Sequence, residues 1–410
     1  MDNWKIKLSL FLNYFVFAIL LNSVGTVILQ VQNNYGVSQS DASILEAFKD
    51  LTIAGVSFLV ASYIVRIGYK KSMLIALAFV SVACLVMATF PSFMGAKLLF
   101  AAVGASFALI KVSVYSTIAL VTDNDKDHAS FMNFIESFFM VGILTGYFIF
   151  SAFVDNNNLQ STAWANVYYL LAVIAGAAFA LLFSSTLDES SVQVTETRPL
   201  TDDFGDMFKL IVLPIVIVFL ASAFLYVLIE QSIMSWLPTF NSKVLHLPTS
   251  LSIQMASILA ASTAVGRFFA GVALRKYHWY MVLTVCLVGA AALVLIAIPL
   301  AQNVGTTEIT GWSTAPTAAF VFPMIGLLIA PVYPAINSLI LSSLPKQKHA
   351  AMSGLIVVFS ALGGTTGSII TGHIFEAFGG QSAFYFSLIP LSILLVCLFF
   401  FNKIQRKTTF

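Results

Sequence analysis

Twelve times along the chain, a run of mostly apolar residues reaches the length needed to cross a lipid bilayer. A helical crossing takes ~20 residues, because a hydrocarbon layer ~30 Å thick is spanned at ~1.5 Å per residue. Inside a bilayer every backbone N–H and C=O must be satisfied within the protein, and a helix of this length does so alone. The expected spans lie near 7–30, 42–65, 72–90, 97–121, 131–153, 164–186, 209–237, 250–274, 280–300, 317–343, 350–374 and 382–402. The fold class that follows is all-α integral membrane, with twelve transmembrane helices. A soluble fold is excluded by charge: 9% of residues are Asp, Glu, Lys or Arg, against ~25% in soluble domains.

Other global features narrow the class further. The net charge of +2 gives no reason to expect a nucleic-acid partner. Cys84, Cys286 and Cys397 lie far apart in apolar runs, so no disulfide framework is expected. Lys5 and Lys7 precede the first run, which is longer than a signal-peptide core and lacks a small-residue cleavage site. It is read as a retained first helix.

The longest polar stretch runs from Leu187 to Phe208, between spans six and seven, and carries six acidic residues from Asp188 to Asp206. It reads as a cytoplasmic linker, 187–208, between an N-terminal six-helix half, 1–186, and a C-terminal half, 209–410. Basic residues orient the chain, since cytoplasmic loops are enriched in Lys and Arg. With the N-terminus inside, Lys5, Lys7, Arg66, Lys70, Lys71, Lys126, Arg198, Lys209, Arg275, Lys276, Lys346, Lys348, Lys403, Arg406 and Lys407 fall on inner segments. Only Lys97 and Lys243 fall outside, while Lys49, Lys111 and Arg267 stay within spans. Both termini are therefore expected in the cytoplasm.

The halves repeat. "KDHASFMNFIESFFMVGILTG" after span four aligns with "QKHAAMSGLIVVFSALGGTTG" after span ten. One offset pairs His128 with His349, Phe138 with Phe359, Gly142 with Gly363 and Gly146 with Gly367. "ASYIVRIGYK" between spans two and three likewise answers "GVALRKYHWY" between eight and nine. Two parallel six-helix repeats are the sequence signature of one large class of secondary carriers.

On these features the whole chain resembles a major facilitator superfamily transporter. That superfamily's loop between spans two and three typically reads Gly-x-x-x-Asp-Arg-x-Gly-Arg-Lys. Here Ala61 and Val65 replace the Gly and Asp, while Arg66, Gly68 and Lys70 are kept. The Tyr69-Lys70 version and "FLYVLIEQSIMSWL" in span seven look like the fucose–proton symporter branch, and "FIESFFMVG" in span five looks like TsgA-like members. In fucose permeases an Asp in span one and a Glu in span four are associated with proton and sugar handling. This chain has Gly25 or Thr26 at the first place and Lys111 at the second, so that assignment does not carry over.

The resemblance implies that spans one, four, seven and ten line a central cavity, that two, five, eight and eleven flank it, and that the rest form a scaffold. Intramembrane charges are functional hypotheses by default. They are Glu46, Lys49 and Asp50 in span two, Lys111 in four, Glu136 in five, Glu230 in seven and Arg267 in eight. None falls in the interiors of spans three, six, nine or twelve.

Lys111 and Glu136 lie at similar depth, ~15 Å and ~10 Å from the inner ends of adjacent spans, and are expected to pair, for function or for structure alone. Glu230 follows Tyr226 and Ser222 at helical spacing and is the leading candidate for proton coupling, since a carboxyl in a low-dielectric cavity can take up and release a proton. Asp50 is a second candidate and Glu136 a third. Glu46 is read as solvated near the outer surface, with a local Lys49–Glu46 contact. Arg267 is read as either structural or snorkelling toward the inner interface.

Uncharged polar stripes complete the expected solute site: Asn22 and Thr26, followed by Gln30, on span one; Lys111 and Tyr115 on four; Tyr226 on seven; Tyr333 and Asn337 on ten. Amides and phenols both donate and accept hydrogen bonds, and tyrosine faces can stack on a sugar ring. Pro331, Pro334 and "ALGGTTGS" at 361–368 are expected to weaken helix, as hinges or as close-packing points.

No nucleotide-binding loop, nucleophile elbow or metal-ligand spacing is visible, so neither an enzyme nor a metal or other cofactor is expected. The expected function is secondary active transport of a small polar solute, a sugar first, by alternating access with proton symport. The alternatives are an anionic solute, such as a sugar acid or carboxylate with Lys111 as counter-charge, and an efflux carrier. The expected partners are the solute, protons and the bilayer, and the expected state is a monomer in a bacterial inner membrane.

Overall fold

The computed structural model describes residues 4–61, 64–122, 125–189, 209–301, 309–345 and 348–408. Among the described residues all regular structure is helical. Eleven described helices are long and apolar enough to cross a membrane. The remaining span is the second. Its helix, Ile44–Ala61, carries Glu46, Lys49 and Asp50 within 18 residues, which lowers its hydropathy without removing it from the bundle.

Local chemistry explains where helices begin and end. Span one is two segments, Trp4–Asn22 and Val24–Tyr35, broken at Ser23, whose hydroxyl turns back onto the Leu20 carbonyl at 2.8 Å. It stops at Gly36, whose φ of 61° is left-handed and cheap only for glycine. A short helix, Gln39–Ala42, capped by Ser38, leads into span two. Spans three to six are Tyr69–Thr89, Phe93–Leu120, Asp125–Ala152 and Val167–Phe183. Span four starts at Ser92, whose side chain accepts from Gly95 N at 2.9 Å.

Spans seven, eight and nine are Pro214–Lys243, Thr249–Ala273 and Trp279–Leu300. Span seven opens with proline at a position that needs no N–H donor. Span ten is interrupted, as its prolines predict: Ala318–Val321, Phe322–Met324, Ile325–Ile329 and Val332–Ser342. Span eleven, His349–Phe378, is unbroken through "ALGGTTGS", so those glycines do not interrupt the helix. Span twelve is Gly380–Tyr385 followed by Leu388–Thr408.

The chain forms two compact units, one drawn from Met1–Gly36 and Phe48–Leu200, the other from Val37–Ala47 and Thr201–Phe410. In the first, span one packs on spans five, six and four, and span three on four and six. In the second, span seven packs on eleven, twelve and eight, span eight on ten, and span nine on ten and twelve. Spans three, six, nine and twelve keep apolar side chains exposed, among them Phe79, Val82, Val173, Val285, Val288, Ile393 and Val396, as lipid-facing scaffold helices would.

The repeated glycines are contact points in both units. A Cβ on Gly142 would lie 2.9 Å from the Phe15 carbonyl oxygen, and one on Gly146 3.3 Å from Ile19. A Cβ on Gly363 would lie 2.4 Å from the Phe224 oxygen, and one on Gly367 2.3 Å from that of Leu228. Span five thus meets span one as span eleven meets span seven, backbone against backbone, which only small residues allow.

The second unit also takes in Val37–Ala47, the residues that lead into span two and its first turn. Ser40 N donates to Glu376 at 2.9 Å, the Ser368 hydroxyl to the Ser43 carbonyl at 3.3 Å, and the Ser235 hydroxyl to Glu46 at 2.8 Å.

Candidate functional site

Each unit holds one carboxylate tied to a tyrosine, with a basic side chain in reach. In the first unit the Tyr115 hydroxyl donates to Glu136 Oε1 at 2.6 Å. Tyr115 and Glu136 stand on adjacent spans, four and five, one helical turn below Lys111 on span four. Lys111 is exposed and feels the charge of Glu136, but no direct ion pair joins them among the described residues. The expected Lys111–Glu136 pair is therefore an electrostatic neighbourhood, and the hydrogen bond goes to Tyr115. Tyr14 of span one, buried, sets its ring 6.1 Å from that of Tyr115 and 5.6 Å from Phe139.

In the second unit the Tyr226 hydroxyl donates to Glu230 Oε1 at 2.8 Å, the i to i+4 contact expected on one helix face. Arg267 Nη2 lies 3.9 Å from the same oxygen, so Arg267 turns to Glu230. The Tyr226 and Tyr333 rings stack at 5.3 Å with 21° between planes. The Tyr333 hydroxyl pairs with Ser360 Oγ at 2.8 Å, and Asn337 follows one turn on along the same helix. Glu230, Tyr226 and Tyr333 are thus brought together as one group, with Asn337 a turn beyond Tyr333. Ser222 instead bonds the Val218 carbonyl of its own helix.

Asn22 and Thr26 are placed elsewhere in the first unit. They face span five across a small recess lined by Ile143, Gly146, Tyr147 and Phe150. Asn22 spends its amide on the Ala18 carbonyl at 2.8 Å, and Thr26 is buried. Asp50 is buried and lies 3.4 Å from Lys49 Nζ. Glu46 is fully buried; it is not solvated, because Ser235, in the same unit, covers it. Buried carboxylates need such donors.

Sequence reasoning missed Tyr14, Ser360 and Ser235 as partners, and undervalued Arg267. Tyr14 and Ser360 carried a faint signal, as hydroxyls inside apolar spans. Ser235 carried none until its helix was rotated into place.

Eleven described helices of membrane length, gathered in two compact units, define a multi-pass membrane protein. Comparison with known proteins sharpens this: the chain matches the Major Facilitator Superfamily over residues 10–367, and it belongs to that family. It is a transporter and not an enzyme. A relative described as a TsgA homolog, from Buchnera aphidicola subsp. Baizongia pistaciae (strain Bp), is 25% identical over 158 residues, a region spanning 38% of this chain and 37% of that protein. Among solved structures, a bacterial homolog of the human lysosomal transporter Spinster superposes with TM-score 0.81 at 14% identity, covering 100% of this chain and 99% of that one. The nucleoside transporter NupG gives 0.71 at 17% identity, covering 98% and 99%. A D-xylose–proton symporter gives 0.70 at 12% identity, covering 97% of each chain. These likenesses establish the shared fold.

Proposed function

We propose that this chain moves a small polar solute across a bacterial inner membrane by alternating access, in symport with protons, with both termini in the cytoplasm. The observation that carries the reading is the paired arrangement of Tyr115 on Glu136 and Tyr226 on Glu230. Each acid accepts a phenol hydrogen bond, and each has a basic side chain in its neighbourhood, Lys111 or Arg267. A carboxylate so placed can exchange a proton for a change of partner, and proton and solute together then bias a two-state equilibrium. Sugars are the first solute class, in line with the resemblance to fucose symporters, the D-xylose symporter among the structural neighbours, and the stacked Tyr226–Tyr333 faces. An anionic solute is the second reading, favoured by a cation in each half.

The test is a thermal-shift screen of purified protein against sugars, sugar acids and carboxylates, followed by uptake into proteoliposomes with and without a pH gradient. Uptake that persists unchanged when the gradient is collapsed would sink proton coupling.

A further inference from the structure

Spans eight and ten cross tightly at one level. A Cβ on Gly266 would lie 2.3 Å from the Leu327 carbonyl oxygen, and one on Gly326 2.7 Å from that of Leu259. No larger residue fits on either side, so the crossing point is held. Past it the helices part. Span ten is interrupted at Pro331, between Ile325–Ile329 and Val332–Ser342, and beyond Arg267 span eight lines the space beside it with the small residues Ala270 and Gly271. What remains between them is a cleft of about 450 Å³ with Trp279 as a further wall, opening toward Leu274 and Leu339. That size lies within the range of small-molecule sites.

The lining is chemically lopsided. Apart from the Ser338 hydroxyl and the Trp279 indole N–H, its side chains are apolar until its end at the crossing, where Arg267 stands. The Arg267 side chain is 44% exposed, and its ion pair with Glu230 is long, at 3.9 Å. It makes no hydrogen bond among the described residues. A guanidinium carries five N–H donors in a fork that fits a carboxylate in two parallel bonds. The cleft therefore offers a carboxylate clamp, engaged only by the long contact to Glu230, at the head of a largely apolar slot. A sugar would leave most of its hydroxyls facing Leu274, Pro334 and Leu339 without partners, at a cost for each buried polar group. A dianionic phosphate would bring two charges to one cation.

We infer that the solute is a small monocarboxylate with an apolar body, that Arg267 binds its carboxylate, and that the cleft between spans eight and ten takes its body. The inference rests on the carrier reading above and narrows its anionic alternative, with Arg267 instead of Lys111 as the counter-charge. It also fixes stoichiometry. Glu230 and the solute carboxylate compete for one guanidinium. The anion displaces Glu230 when Glu230 has taken a proton, and the neutral acid keeps its contact to Tyr226. One proton then travels with one anion, and the cycle is electroneutral.

The test uses full-length protein purified in detergent, with binding followed by calorimetry and by Trp fluorescence. Benzoate and isovalerate are compared with benzamide and isovaleramide, which keep the shape and lose the charge, and with L-fucose and D-xylose. The carboxylates are expected to bind at least about ten-fold more tightly than their amides, as hydrogen bonds to a charged partner imply. Arg267→Gln should erase that preference, and Arg267→Lys should restore part of it. Because Arg267→Gln could also disturb folding, Gly271→Leu is the second probe. A Cβ at Gly271 meets nothing within 4 Å, so a leucine grows into the cleft without displacing backbone; it should weaken benzoate while sparing acetate. In proteoliposomes, carboxylate uptake above that of protein-free vesicles should follow an inward acid gradient and ignore a potassium–valinomycin potential. Equal binding of acid and amide, or an acid preference that survives Arg267→Gln, overturns the inference. Uptake of sugars without carboxylates overturns it and leaves the carrier reading intact; uptake of neither overturns both.

Discussion

The Ser235 hydroxyl donates to Glu46 Oε2 at 2.8 Å, and the carboxyl it covers is fully buried. A buried carboxylate that loses a donor keeps its desolvation cost, about 1–3 kcal/mol. Ser235→Ala should therefore lower the apparent Tm of the purified protein by several degrees, whereas Glu46→Gln, which accepts the same bond without a charge, should not lower it further in the Ser235→Ala background. Thermal unfolding of the two single variants and the double variant decides this, and additive losses would show that the two residues act independently.

The crossing glycines make a prediction in both units at once. Adding a methyl at Gly142 or Gly363 drives it into the Phe15 or Phe224 carbonyl, and overpacking of this kind costs about 1–3 kcal/mol. Gly142→Ala and Gly363→Ala should each reduce the yield of monodisperse protein and its thermal stability. Gly176→Ala should be neutral or mildly stabilising, since nothing lies within 4 Å of its added Cβ and alanine is the better helix former. Size-exclusion profiles and melting curves of the three variants provide the comparison.

The two tyrosine-bound acids separate coupling from structure. Glu230→Gln should abolish accumulation driven by a pH gradient while keeping solute exchange between equilibrated compartments. Retained accumulation in that variant would remove Glu230 as the coupling residue. Glu136→Gln, measured the same way, tells whether the first unit shares the task. For Lys111, the informative pair is Lys111→Gln alone and combined with Glu136→Gln: rescue of folding by the second change marks a structural balance of charge, and selective loss of anion binding marks a counter-charge.

A last prediction concerns the start of span three. Glu189 Oε1 accepts from Lys70 N at 2.7 Å, and the Lys70 ammonium bonds the Ser185 carbonyl at 2.5 Å. Glu189 thus caps a helix N-terminus where the loop has Val65 in place of the superfamily's Asp. Gly68 permits this, with φ of 92° and a missing Cβ that would sit 2.6 Å from Glu189 Oε2. Glu189→Ala should cost about 0.5–2 kcal/mol, the usual worth of a cap, read as a lower melting temperature, and Gly68→Ala should cost more because it adds backbone strain.

Hydropathy made the spans legible, and it misjudged only details that depend on neighbours. Of the two prolines expected to weaken span ten, Pro331 stands at a break and Pro334 lies within Val332–Ser342, where the first turn needs no donor from it. Of the two roles open to "ALGGTTGS", hinge or close-packing point, the structure has the second: the helix is continuous and its glycines meet the backbone of span seven. The same contrast runs through the site. The Tyr226–Glu230 contact was readable, being one turn of a single helix. Arg267 was not, since its reach to Glu230 depends on how span eight is rotated, and Gly266 sets that rotation against span ten.

The chain alone thus determined the class of molecule: bilayer-length apolar runs, the placement of lysines and arginines, and a repeat at one offset are sums over local sequence, and they survive any arrangement of the helices. Only the tertiary structure decided which acid meets which donor. It covered Glu46 with Ser235, gave Glu136 to Tyr115 in place of Lys111, turned Asn22 and Thr26 onto span five, and set Arg267 at the head of a cleft. A hydrogen bond needs its partners within about 3 Å, and for residues on different helices that distance is fixed by packing, which no single stretch of sequence encodes.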